Sequence, residues 1–528
     1  MPESIAVSPN PAALSRTTLS TFAAAFLAVA FAQTALVVSS PLNGLIQTTL
    51  HTSGTQLSWV SDAFLLPTVV LELTFGVLGD LFGRKRLLVI GSFVTALGDA
   101  ITAFTHDINA MLVGQVLSGI GAAAVFPTSL AVIVAATPTA RSRARGLVVW
   151  TMGMSVGASA GPVVGGAIGL HGSYQWAFGF VAIGSVVAGL ACLFGSADSR
   201  AAQGRRLDWG GQATIVVALV AILYAIIQAP DAGWSSAQTI ICLAVGAVFL
   251  AIFVLIELRT SEPLLDLRLL AIPAFTGAAL VAMIALCGFL GMVYSISIRM
   301  GVIQGQDTLR VGLYTLILNI LPFAFLPFFS RSLVKFDVRA VLGTGLLALA
   351  AGQFWLSQIP ITDTGLGALT LPLMLCGFGF VTIIASVSGA AVNSVRLRQA
   401  GMASGAINMV RDLGQTLGIA IASAIAISVA TAALPGRLAA SGLPPAALAV
   451  VNHVAAAGGP IAVAHASLGP ISAKSIPAAQ DALWHGFSTA LVVCGTLSLI
   501  AFVITLALVR HSRKSAAEIA IAELTVQD

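Results

Sequence analysis

The sequence predicts an all-α integral membrane protein of fourteen transmembrane helices with both termini in the cytoplasm. Two observations predict it, the composition and the placement of the basic residues. Hydrophobic residues make up 58% of the 528 and charged residues 9%, with a mean hydropathy of +0.99. A soluble globular chain carries about 25% charged residues. This chain lacks the polar surface to face water, so lipid is the solvent for most of it. A spanning helix needs about 20 mostly apolar residues. Such runs lie near 20–46, 58–80, 87–105, 109–135, 146–169, 174–195, 210–229, 236–257, 274–298, 311–331, 340–358, 366–392, 401–433 and 485–509. With the N-terminus inside, twenty of the 25 Lys and Arg fall at the termini and in the even-numbered connections. Only Arg299, Arg310, Arg437 and Lys474 fall in odd-numbered ones, and Arg411 lies inside a span. Such a bias sets orientation. The N-terminus has one basic residue, Arg16, and no signal-peptide pattern, so the first run reads as a retained helix. The five cysteines, Cys192, Cys242, Cys287, Cys376 and Cys494, sit in apolar runs without metal-ligand spacing. No metal, cofactor or nucleic-acid partner is expected, and the net charge of +5 is a matter of topology.

The chain reads as a duplication. LFGRKRLLVIG (81–91) matches KFDVRAVLGTG (335–345), with Phe82 on Phe336, Lys85 on Arg339 and Gly91 on Gly345. ARSRARGLVVW (140–150) aligns with SVRLRQAGMAS (394–404) at nearly the same offset, Gly146 on Gly401. The expected organisation is a cytoplasmic N-terminus at 1–19, a six-helix half at 20–195, a linker and inserted helix pair at 196–257, a second six-helix half at 258–509 and a cytoplasmic tail at 510–528. Parallel repeats of this kind are a plan of secondary transporters, with the substrate site between the halves.

GVLGDLFGRKR (76–86) closes the second run. Gly76 and Asp80 share a helix face, Gly83 permits a tight turn, and Arg84, Lys85 and Arg86 follow at the surface. Asp80 is placed to pair with a cation and latch the inward end. In GASAGPVVGG (157–166), Gly157, Gly161 and Gly165 recur every four residues, followed by Gly166, and Pro162 bends the helix. Bend and smooth face suit a helix packed along the seam between halves. Together with Trp59–Phe64, QVLSGIGAAAVFPTSLAVI (115–133), PLLDLRLL (263–270) and AGMASGAINMVRDLGQTLG (400–418), these stretches resemble the major facilitator superfamily. The resemblance is to its fourteen-span drug:proton antiporters, nearer the quaternary-ammonium and multidrug exporters. It implies a major facilitator fold of two six-helix halves plus an inserted pair. Three positions depart from the family pattern: Leu81 stands after Asp80 in place of Arg, Gln33 near a first-span Asp, and Gln115 in place of a fourth-span Arg. The last two lost charges are ones the family ties to proton coupling or substrate binding.

A charge at bilayer depth costs at least about 2.5–3.5 kcal/mol on the insertion scale, so it should face a cavity or a partner. On the thirteenth run, Ser404, Asn408, Arg411, Asp412 and Gln415 fall on one helical stripe. Thr151, Ser155 and Ser159 form another, and Gln33, Ser40 and Gln47 recur at intervals of seven. Shared polar stripes predict a wet central cavity lined by Gln33, Gln115, Ser155, Ser159, Asn408, Arg411 and Asp412. Asp62 at the start of the second run, Glu72 about 15 Å deeper, and Asp412 are the candidate proton carriers. Asp62 also reads as an interfacial helix cap, and Asp99 as a structural hydrogen-bonding group.

The expected function is export of hydrophobic, cationic drugs by proton antiport with alternating access, by a monomer in the cell membrane. The alternatives are an exporter of one native metabolite or lipid, with altered or absent proton coupling, and a non-transporting membrane receptor or structural protein. No Gly-x-x-x-x-Gly-Lys-Ser/Thr loop occurs, which argues against an ATP-driven pump, and no enzyme chemistry is expected. The outer segment 434–484 is about fifty residues long and Ala-rich. Its PPAALAVVNHV stretch has a proline start that predicts a short helix at the membrane surface.

Overall fold

The structure of the protein is a computed structural model describing residues 16–509 apart from 138, 201–207, 261–262, 264–266, 320–336 and 394–399. The expected N-terminal segment to residue 15, the tail from 510 and the second half of the tenth run lie outside the described residues. No strand occurs among the described residues. Thirteen described helices are long and apolar enough to cross a membrane. The tenth expected span is helical over 308–319, where its description stops.

The first run folds as two helices, α1 (Arg16–Val37) and α2 (Ser39–Leu50), with a turn at Val38. Pro41 is the reason: it has no N–H to bond the Val37 carbonyl, so the ladder breaks there. Next comes α3 (Gly54–Phe82), which starts earlier than hydropathy indicates. Ser53 Oγ accepts from Gln56 N–H at 3.2 Å, and Gln56 Oε1 accepts from Ser53 N–H at 3.0 Å. This reciprocal capping satisfies two end donors. The chain continues through α4 (Arg84–Phe104), α5 (Ile108–Ala135), α6 (Ala140–Gly169) and α7 (Tyr174–Gly195). Then follow α8 (Trp209–Ala232), α9 (Ala237–Arg259) and α10 (Pro273–Ser297). A π-turn, Ile298–Ile303, extends α10, with Gln304 N–H donating to Arg299 O at 2.9 Å. The remaining helices are α11 (Val338–Gln358), α12 (Leu366–Asn393), α13 (Ala400–Ala440), α14 (Pro445–His465) and α15 (Ser472–Leu508).

Helices α1 and α3–α7 pack among themselves, as do α10–α13 and α15. Small residues make the approaches close, since a backbone without side chains in the way admits its neighbour. A Cβ on Gly91 would stand 2.9 Å from Gly121 O, where α4 meets α5; one on Gly345 would meet the Thr382 side chain, where α11 meets α12. The two glycines aligned in sequence therefore serve equivalent contacts. Helix α8 touches both bundles, against α3 and α13. Gln212 Nε2 donates to Val70 O at 2.9 Å, and Trp234 Nε1 donates to Ser428 Oγ at 3.0 Å.

The α3–α4, α5–α6 and α7–α8 connections and the helix starts that follow them carry Arg84, Lys85, Arg86, Arg143, Arg145 and Arg200. They lie at one end of the first bundle, here the basic end: Arg84 N–H donates to Ser199 O, and Thr18 and Ser20 of α1 donate to Ala136 O and Gly195 O. The π-turn and α14 lie at the far end. There α13 and α15 run beyond their apolar spans and are joined by the Arg437–Asp481 ion pair. Between them, the helix expected from PPAALAVVNHV is present as the first part of α14, which kinks at Gly458–Gly459. Val451 at its centre is fully buried. Hydrogen exchange in nanodiscs should therefore show Leu448 to Val454 protected for minutes. Complete exchange within seconds would mean that this helix does not persist in lipid.

Candidate functional site

A cavity of about 120 Å³ lies between the two bundles. Gln33 from α1, Ser40 and Asn43 from α2 and Ser61 from α3 line one side; Tyr294, Asn319 and Gln415 line the other. Phe289 of α10 and Phe380 of α12 also line it, stacked with ring centroids 4.2 Å apart and planes 14° from parallel. Among the described residues lining it, none carries a charge.

The charges stand one residue behind. Arg411 Nε donates to Asp412 Oδ1 at 2.8 Å. Gln415 Nε2, from the cavity wall, donates to the same oxygen at 2.7 Å. Glu72 of α3 lies within electrostatic reach of both Arg411 and Asp412. The thirteenth-run stripe thus meets a carboxyl group from the other bundle. Arg411 also borders a small cleft between α10 and α12, beside Ala282 and Ile383. Asn408 is partly buried one turn away from Asp412 and does not line the cavity.

Asp62 is two turns inside α3 rather than at its start, because Ser53 already caps that helix. It is 0% exposed, and neither carboxylate oxygen meets a donor among the described residues. It stands near Tyr294. The Tyr294 hydroxyl and Ser58 Oγ are 3.1 Å apart, and Ser58 is hydrogen-bonded in turn to Ser423. This polar cluster joins α3 to α10 and α13. Sequence reading missed it, although a Tyr and single Ser residues within apolar runs were the available signal. Asp99 accepts from Ser118 Oγ at 3.2 Å, between α4 and α5.

Other expected lining residues lie elsewhere. Gln115 is buried between α4 and α5, where its Nε2 donates to Thr102 Oγ1 at 3.2 Å. Ser159 is buried with its hydroxyl unpartnered among the described residues, Ser155 is partly buried, and neither borders the cavity, which α6 reaches through Ala158. The glycine face of α6 is turned toward its own bundle. A Cβ on Gly157 would stand 2.3 Å from Ala30 O, while Gly161 meets Thr34 and Gly165 meets Val38. The break in α1–α2 needs this room. The seam to the opposite bundle is made by the neighbouring positions instead. A Cβ on Gly166 would stand 2.4 Å from Thr308 O, and one on Gly312 would stand 2.4 Å from Pro162 O.

The two ends of the seam differ. At the far end, a Cβ on Gly44 of α2 would stand 2.3 Å from Gly301 O. Arg299, fully buried, donates to Ile359 O at 3.1 Å and Pro360 O at 2.6 Å, with its guanidinium 4.3 Å from the centre of the Trp484 ring. The far end is sealed backbone against backbone. At the basic end, a Cβ on Gly76 would, among the described residues, meet only Pro127 of α5, at 3.8 Å, within the same bundle. Asp80 pairs with Arg84 at 2.8 Å, also within the loop. Gly83, at φ 110°, makes the turn, and Arg84 N–H donates to Ser199 O at 3.0 Å. Lys85 is partly buried and Arg86 exposed.

The chain is similar to proteins that resist or export drugs. It is 30% identical over 387 residues to the multidrug resistance protein Stp of Mycobacterium tuberculosis, covering 72% of this chain and 71% of that one. It is 25% identical to the tetracenomycin C resistance and export protein of Streptomyces glaucescens, covering 93% and 90%. It is 28% identical to the methyl viologen resistance protein SmvA of Salmonella typhimurium, covering 75% and 79%. Its fold matches the crystal structure of a bacterial homolog of the human lysosomal transporter Spinster in an inward-facing, unoccupied conformation. The TM-score is 0.62 at 14% identity, covering 96% of this chain and all of that one. Residues 22–419 match the model of the Major Facilitator Superfamily. With two helical bundles, a cavity between them and a sealed far end, the chain is a multi-pass membrane transporter that belongs to the Major Facilitator Superfamily.

Proposed function

We propose that the protein exports hydrophobic compounds by proton antiport, as a monomer of the fourteen-span drug-exporter type in the plasma membrane, with its basic end in the cytoplasm. One observation carries the reading: Asp412 stands on the seam between the bundles and is hydrogen-bonded to Gln415 of the cavity wall. Asp62 is buried near Tyr294, another lining residue, with no donor on either oxygen among the described residues. Glu72 faces Asp412 from the opposite bundle. A carboxyl group placed there exchanges a proton with whichever side the cavity opens to, and occupancy of the cavity acts on it through a single contact.

Alternating access needs two arrangements of the seam. In this structure the far end is closed where α2 meets the π-turn backbone against backbone at Gly44 and Gly301. The cationic cargo expected from the family resemblance meets no carboxylate among the described lining residues. Proteoliposomes test the function: addition of exported drug should drive proton movement, and drug flux with no proton movement would remove antiport from the reading.

The Asp80–Arg84 pair is exposed enough to contribute about 0.2–1 kcal/mol. If Asp80 exchanges Arg84 for a cation of the facing bundle in the other arrangement, Asp80→Ala should slow turnover by about two- to fivefold and leave drug binding unchanged. Lost binding with unchanged turnover would contradict this.

A further inference from the structure

Four amide side chains line the cavity, Gln33, Asn43, Asn319 and Gln415, and for the last three the chemistry of their partners determines which way each points. Gln415 meets a carboxylate oxygen of Asp412, which only accepts, so its Nε2 donates there and its Oε1 is left for the cavity. Asn319 Nδ2 donates to the backbone carbonyl of Thr315 at 2.9 Å, leaving Oδ1. Asn43 Nδ2 is 3.0 Å from Ser297 Oγ, whose own proton goes to the Ser40 carbonyl. Ser297 Oγ must therefore accept, and Asn43 Oδ1 is turned away from it. Asn43 is 1% exposed, and its Oδ1 is buried without a partner among the described residues. A buried acceptor left unmade costs about 1–3 kcal/mol. The same lining contributes the stacked Phe289 and Phe380 rings and no charge among the described residues.

We infer that the cavity selects aromatic compounds bearing O–H or N–H donors, and that Asn43, Asn319 and Gln415 read those donors through their carbonyl oxygens. This rests on the export reading above and names its cargo. A donor entering the cavity meets an acceptor, Asn43 Oδ1, that has no partner among the described residues, while the phenylalanine wall takes the ring. A donor also engages Gln415 on the side opposite Asp412, so recognition touches the residue that holds the carboxylate. A quaternary cation without N–H or O–H groups leaves all three acceptors unpaired.

The test compares bisphenol A with its dimethyl ether, two uncharged molecules that differ in their donors. In nanodiscs carrying the full chain, bisphenol A should bind at least about tenfold more tightly, the equivalent of one good hydrogen bond. Asn319→Leu should narrow that ratio by weakening bisphenol A alone. Among the described residues its amide otherwise bonds only within its own helix, to Thr315 O, so the variant is expected to fold. Equal binding of the two compounds would overturn the inference, as would a ratio that Asn319→Leu leaves untouched. Efflux of tetraphenylphosphonium, a cation without donors, alongside equal binding of the bisphenols would overturn the inference but leave export standing. Absence of efflux for all three probes would overturn export and the inference together.

Discussion

Asp412→Asn is expected to abolish drug-driven proton movement while leaving the protein folded. Asn keeps the shape of Asp and an oxygen for Arg411 and Gln415, which both donate to Oδ1 in the wild type. It cannot exchange a proton. Removing one partner of a buried ion pair costs about 3–5 kcal/mol where nothing replaces it. The pair is only partly buried and Glu72 lies within electrostatic reach of Arg411, so the loss is expected to be smaller and the fold to persist. Proteoliposomes filled with a pH-sensitive dye provide the measurement. Drug exchange down a gradient should survive in the variant, and proton movement should fall to the level of empty vesicles. Wild-type proton movement in this variant would remove Asp412 from the coupling role.

The second large effect is at Gly44. A Cβ there would stand 2.3 Å from Gly301 O, and neither backbone has a side chain to rearrange. Forcing extra atoms into a tight contact costs about 1–3 kcal/mol, which shifts a two-state equilibrium by roughly 5–150-fold. The contact exists only while the far end is closed. Gly44→Val should therefore hold that end open without unfolding the bundles, and export should fall in proportion. A single cysteine at Met300, in a background lacking the five native cysteines, reports the change. Met300 is buried at this seam, so a membrane-impermeant maleimide should label Met300→Cys slowly alone and rapidly with Gly44→Val. Equal labelling rates with unimpaired export would show that Gly44 does not seal the far end.

Much of the fold was legible in the sequence because the bilayer leaves few choices. A backbone in lipid must satisfy its hydrogen bonds within itself, so a long apolar run is a helix whatever it packs against. The run at 58–80 became α3 and the run at 401–433 became α13, each lengthened by local chemistry that hydropathy does not weigh. Ser53 and Gln56 extended the first, and an alanine- and leucine-rich continuation extended the second. Pro41 in turn broke a run that hydropathy reads as continuous. The polar stripe on α13 was also legible, because charges at that depth need a partner or a wet surface.

What the sequence by itself determined, then, is which segments cross the membrane and which polar groups they carry into it. Only the tertiary structure decided what each group faces. Gln115 and Gln33 are the same residue type in similar apolar surroundings. One is spent on Thr102 between α4 and α5, and the other borders the cavity. Gly157 and Gly166 belong to one motif, yet the first admits α1 and the second admits the opposite bundle at Thr308. Helical periodicity places residues on a face. In lipid, where apolar surface is equally solvated on every side, the direction that face takes is set by close packing of backbones and by hydrogen bonds between helices. Those contacts join residues far apart in the chain, such as Ser58 with Tyr294 and Ser423, and they exist only once the helices have assembled.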